Sequence, residues 1–204
     1  MMSTVAFLLL SLTWCLAAPT VDALIPVRTV DAFPSILDDG TTVTIFGPPS
    51  LSVEDEQEFG SVVDFNQNGD ILAIGAPGYG SAKQGSVFIY DAASYQLLWS
   101  VMGDTVNEVV GGHVSLSIDK IAIGRRNSIE IYDAYTGELI GEPIRSQQGT
   151  RVTLVNDELL IIGEDRFNTR TGQARILSYN HESGVWDDVI TVPGLFPQGR
   201  FGWI

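Results

Sequence analysis

Cysteine is nearly absent. The single one in 204 residues is Cys15, inside an apolar N-terminal run that reads as a removable leader, so the mature chain has neither a disulfide nor a thiol nucleophile. His113 and His181 are the only histidines, and with no cysteine to join them they make no recognisable metal set. Lys and Arg number 11 against 25 Asp and Glu, a formal net charge of −14. No basic block is present to follow a phosphate backbone, which argues against nucleic acid and anionic membranes as partners. There is no Asn-x-Ser/Thr acceptor, no Gly-x-Ser-x-Gly elbow and no Gly-Lys-Ser/Thr phosphate loop. The longest apolar run, residues 5–18, is too short for a comfortable bilayer span.

That run is followed by Pro19 and the small-residue site Val21-Asp22-Ala23. It has the layout of a secretory signal peptide, although the first four residues lack Lys or Arg, and cleavage after Ala23 avoids placing Pro19 at the mature N-terminus. The expectation is a secreted or cell-surface protein with no membrane-spanning segment in the mature chain. A hydrophobic content of 45% supports a packed core, and about 180 mature residues suffice for one domain.

The rest of the chain is repetitive. Residues 59–91 hold three short strand patterns cut by turn signals: 61–65 alternates, Asn68-Gly69 is a hairpin signal, 70–75 is a continuous apolar run, and a Gly-rich loop leads into 86–90. A fourth strand follows over 95–101. Weaker copies recur, with strands expected at 112–116, 121–124, 128–132 and 138–144, then at 150–155, 160–163, 174–179 and 185–192. Gly75, Gly124 and Gly163 close the second strands at spacings of 49 and 39 residues. Four antiparallel strands in about 45 residues is the unit of a β-propeller.

The expected fold is therefore all-β, a propeller of four-stranded antiparallel blades with about three complete blades. The divisions are 1–23 (signal peptide), 24–58 (end of a preceding blade and a connector), 59–106, 107–147 and 148–198 (three blades), and 199–204 (the start of another). Within 24–58, strands are expected at 28–32 and 41–46 around the turn Asp38-Asp39-Gly40. Because propellers close with about four to eight blades, the reading is that of a fragment of a longer propeller.

Phe59-Gly60-Ser61-Val62, Ala73-Ile74-Gly75-Ala76-Pro77 and Gly85-Ser86-Val87-Phe88-Ile89-Tyr90 resemble the FG-GAP repeat, the blade unit of integrin α-subunit propellers. In the second copy Gly111-Gly112 stands for Phe-Gly and Arg125-Arg126 for Ala-Pro. In the third, Gly149-Thr150 and Glu164-Asp165 do. The resemblance implies an extracellular module that recognises a protein or glycan, as in adhesion or matrix assembly, through the loops between second and third strands and the connectors between blades. In this chain those loops offer Tyr79, Lys83, Arg125, Arg126, Phe167 and Arg170 as ligand-binding candidates.

No catalytic constellation is present, and no cofactor is implied. Asp64, Asn66, Asn68 and Asp70 are oxygen-bearing side chains at alternate positions, as in short Ca²⁺ loops. The further carboxylate such a loop needs is replaced by Ile71 or Leu72, and a hairpin turn at Asn68-Gly69 accounts for the same residues. The competing functional class is the propeller part of an extracellular enzyme, quinoprotein-like or hydrolytic, with its active-site residues outside this sequence. Ligand identity and oligomeric state are not encoded in any motif.

Overall fold

Strand β4 (Ile71–Ala76) is buried at every position, as a continuous apolar run demands when both faces of a strand are covered. It lies inside a sheet ordered β3-β4-β5-β6, where β3 is Val62–Phe65, β5 Ser86–Asp91 and β6 Leu97–Met102. The second sheet is formed by β7 (Val114–Leu116), β8 (Lys120–Gly124), β9 (Ser128–Asp133) and β10 (Ile144–Arg145), and the third by β11 (Thr150–Asn156), β12 (Leu159–Glu164), β13 (Gln173–Asn180) and β14 (Val185–Pro193). All pairings within them are antiparallel. These three sheets are the three blades read from the sequence.

The computed structural model describes residues 35–36, 42–43, 58–147, 150–196 and 198–202. The leader, the strand expected at 28–32 and most of the acidic connector lie outside them. The chain forms two units, Met1–Pro49 and Ser50–Ile204. In the first, β1 (Ser35–Ile36) pairs antiparallel with β2 (Thr42–Val43); the expected Asp38-Asp39-Gly40 turn lies outside the described residues. This hairpin is a two-stranded sheet of its own.

Two apolar layers hold the second unit together. Ile71, Ala73, Val87 and Ile89 of the first blade meet Val114, Leu116, Ile121 and Ile123 of the second. Ala122, Ile129 and Ile131 then meet Val152, Leu154, Leu160 and Ile162 of the third. Each buried Ile or Leu contributes roughly 1.5–3 kcal/mol, so the blades depend on one another. The recurrent aromatics line these layers: Trp99 stacks at 5.7 Å on Tyr132 and donates to the Ala134 carbonyl at 3.0 Å, and Tyr179 lies 5.3 Å from Trp186. On blade three the positions equivalent to Trp99 and Val101 are Ile190 and Val192, which are exposed.

Two sequence expectations need correction. The fourth strand of the second blade does not run over 138–144. Leu139 bridges Tyr132, Gly141 turns with φ +73, and Pro143 has no N–H to donate, so pairing resumes only at Ile144 and Arg145. Second, the blade-opening pair in that copy is Val110-Gly111, one residue earlier than Gly111-Gly112. Gly60, Gly111 and Gly202 all have φ of +87 or +88, Val110 is fully buried and bridges Gly85 in parallel, and Phe201 bridges Gly172 in the same way.

Those glycines are fixed by close approach as well as by φ. A Cβ on Gly111 would lie 2.3 Å from the Ser86 carbonyl oxygen, and one on Gly202 2.5 Å from that of Gln173. Phe201-Gly202 thus sits on the third blade as Val110-Gly111 sits on the first.

Candidate functional site

Antiparallel four-stranded blades put their loops at two ends. One end carries the turns after the first and third strands, the other the loops after the second strands and the connectors between blades. The two ends differ in charge. At the first lie Asp70, Asp91, Asp119, Asp133, Asp157 and Glu158, and among the described residues all of these side chains but that of Asp119 bond within the protein. Asp91 Oδ1 accepts from the backbone N–H groups of Ala93 and Ser94, Asp133 Oδ1 from those of Tyr135 and Thr136, and Asn180 Oδ1 from those of Glu182 and Ser183. These are three equivalent Asx turns. The Asp91 carboxyl is held below the usual range chiefly by its bond from the Ser94 hydroxyl.

Of the side chains considered for Ca²⁺ at this end, Asp64, Asn66 and Asp70 already have protein partners. Asp64 Oδ2 accepts from Leu116 N at 2.8 Å. Asn66, 3% exposed, donates to Asp70 Oδ1 and the Ile118 carbonyl and accepts from Asp70 N and Ile71 N. Asp70 also accepts from the Tyr135 hydroxyl at 3.2 Å. Among the described residues no group of three His, Cys, Asp or Glu side chains could hold a metal ion.

The other end is where the basic residues gather: Lys83, Arg125, Arg126, Arg166 and Arg170 are five of the chain's 11 Lys and Arg. A cleft of about 200 Å³ opens there, lined by Glu108, Val109, Gly112, His113, Gly124, Arg125, Arg126, Thr150 and Arg166. The connector into the second blade forms one wall, the loop after β8 a second, and the third blade the remainder.

One wall is rigid. Arg125 Nη1 donates to Glu108 Oε1 at 2.8 Å, and Nε donates to Glu130 Oε2 at 2.6 Å, which also accepts from the Tyr132 hydroxyl. Glu108 Oε2 in turn accepts from the backbone N–H groups of Asp104 and Thr105. Burial alone would raise the Glu108 carboxyl, but the bonds from Arg125, Thr105 and Asp104 outweigh it and leave it below its ordinary value. Burial pushes the Tyr132 hydroxyl up to about 12, with Glu130 adding to the rise. Arg125 is therefore a fixed part of the framework.

The remaining candidates separate. Arg126 and Lys83 are exposed, with no ion pair among the described residues. Tyr79 is half-buried, packed edge-on against Phe88 at 5.3 Å in an ordered loop. Phe167 and Arg170 bound the four-residue helical turn α1 (Phe167–Arg170), in which Asn168 and Thr169 have positive φ. Only Arg125 and Arg126 of the six line the cleft.

Sequence reasoning missed His113, Thr150 and Arg166. His113 is lowered below its ordinary value by burial and by the Arg151 charge, against an opposing pull from Asp165, and is neutral at pH 7. The available signal was positional: His113 lies just before β7, Thr150 opens β11, and Arg166 lies in the loop after β12.

No protein-family model matches the sequence, and no curated protein matches it either. Among solved structures, it is similar to a chain in the crystal structure of a mitotic checkpoint complex, with 19% identity and a TM-score of 0.53, covering 76% of this chain and 41% of that one. The fold is a β-propeller. At that identity the likeness carries the fold and nothing finer, and the described chain spans less than half of that neighbour's length. Hsv2 of Kluyvelomyces marxianus (10% identity, TM-score 0.49, 68% of this chain and 47% of that one) and a europium-containing methanol dehydrogenase (13%, 0.44, 71% and 29%) are more distant. Among the described residues of this propeller, no helix is long and apolar enough to cross a membrane.

Proposed function

We propose that this propeller is a non-catalytic recognition module, secreted or displayed at a cell surface, that binds a protein or glycan through the end carrying the loops after the second strands. One observation carries the reading. In all three blades that loop presents an exposed cation with no ion pair among the described residues, Lys83, Arg126 and Arg166 with Arg170, although acids outnumber bases 25 to 11 in the chain. Unpaired charges on loops braced by rigid strands are how a scaffold presents a binding surface. The acidic end, by contrast, is consumed by turns and inter-blade bonds.

The FG-GAP resemblance agrees with this assignment, since it places ligand contacts on the same loops. Export is testable by expressing the full chain and sequencing the N-terminus recovered from the medium, which is expected to begin at Leu24. Recognition is tested by replacing residues 77–84 with a short Asn-Gly turn and comparing capture of oligosaccharides and peptides from arrays. Loss of the hits in a folded variant supports the reading, and unchanged hits refute it.

A further inference from the structure

Two exposed arginines from different blades, a neutral imidazole and a buried hydroxyl-bearing residue line one small cleft. Resting on the recognition reading above, we propose that this cleft takes a single carboxylate, the Asp or Glu side chain of a peptide, between Arg126 and Arg166 with His113 beside it. Arg126 comes from the loop after β8 and Arg166 from the loop after β12. Both are exposed, both line the cleft, and neither side chain has an ion pair or hydrogen bond among the described residues. A planar guanidinium matches a carboxylate with two parallel N–H donors. The imidazole of His113 makes no hydrogen bond among the described residues and is free to donate.

Size and surroundings select the ligand. About 200 Å³ is below the roughly 300–1,000 Å³ typical of drug-sized ligands, which suits one side chain. The lining holds no aromatic ring besides His113 and has Val109 as its apolar member, so a sugar has no face to stack on. A polyanion is further opposed by the net charge of −14, whereas a single carboxylate meets the local cations at short range. Two of the acids nearby are accounted for, Glu108 paired with Arg125 and Glu164 accepting from Gln147 N and Gln173 Nε2; the third, Asp165, is 6% exposed and does not line the cleft, and its pull on His113 is outweighed by burial and Arg151.

The test is an NMR titration of the full ¹⁵N-labelled chain with three capped pentapeptides, Gly-Gly-Xaa-Gly-Gly with Xaa as Glu, Asp or Gln, and with a glucuronate disaccharide. The Glu and Asp peptides are expected to shift the amides of His113, Gly124, Arg126 and Arg166, with the Gln peptide inert. The double variant Arg126→Gln/Arg166→Gln should weaken binding at least tenfold, while Arg145→Gln, at the exposed position of β10, should leave it unchanged. Equal shifts with the Gln peptide, or binding unaltered in the double variant, overturn the site. Binding of the disaccharide alone overturns the peptide assignment. No shift with any probe overturns the site as well, while the wider recognition reading stands or falls on the 77–84 replacement, whose loop does not line this cleft.

Discussion

The carboxylate of Asp64 accepts the backbone N–H of Leu116 at 2.8 Å, and one blade further on the hydroxyl oxygen of Ser115 accepts the backbone N–H of Leu154 at 3.0 Å. The register makes these the same bond: Asp64 pairs with Ala73 and Ser115 with Ala122. A side chain on the first strand of the first and of the second blade thus clips the first strand of the next. Asp64→Ala should destabilise the chain by about 1–3 kcal/mol, the cost of orphaning a half-buried N–H, while Asp64→Asn keeps an acceptor and should lose less. Urea unfolding midpoints check both.

A Ca²⁺ role at this turn would have to draw on Asp64, Asn66 and Asp70, whose oxygens already accept protein hydrogen bonds. Thermal unfolding is expected to show the same midpoint in millimolar Ca²⁺ and in excess chelator, because an ion bound only by the folded chain must raise stability. A midpoint rising with added Ca²⁺ would contradict the hydrogen-bonded reading of Asp64, Asn66 and Asp70.

A hairpin-turn glycine and a blade-opening glycine give a matched pair of substitutions. Gly69 has φ +74 with nothing within 4 Å of a built Cβ, so Gly69→Ala carries only the left-handed penalty, about 1–2 kcal/mol. At Gly111 the Cβ would meet Ser86 O at 2.3 Å in addition to φ +87, and Gly111→Ala should cost markedly more. Equal losses in chemical denaturation would mean that the junction tolerates a side chain.

Stability should fall with acid in two stages. His113 has a folded-state pKa below its unfolded value near 6.5 because of burial and Arg151, so the unfolded chain binds the proton more readily and stability declines as pH drops below about 6.5. Glu108, held below 4.5 chiefly by Arg125 against burial, contributes stability above that value that is lost as pH falls further. His113→Gln should remove the first stage and leave the second, as read from unfolding free energies between pH 7.5 and 4.

Much of the architecture was legible because a blade constrains its residues. The buried run Ile71–Ala76, the Asn68-Gly69 turn and the Asp91 and Asp133 exits each follow from strand period and turn chemistry, and eleven of the twelve blade strands fall within a few residues of expectation. The exception, at Gly141-Glu142-Pro143, turns on a missing N–H that the hydrophobic pattern outweighed. The site was less legible. Arg125 and Arg126 are adjacent, yet one is locked between Glu108 and Glu130 and the other has no ion pair among the described residues, a difference made by residues 17 positions upstream and five downstream. His113, Thr150 and Arg166 meet only through blade packing, which no local pattern records.

The central claim is that one end of the propeller recognises and the other end holds the blades together. The direct measurement compares array binding of two variants: Lys83, Arg126, Arg166 and Arg170 all changed to Gln, and Glu138, Glu158 and Glu182 at the opposite end changed to Gln. Binding is predicted to be lost in the first and retained in the second, with both folded by circular dichroism. Binding retained in the first and lost in the second would place recognition at the acidic end and contradict the account.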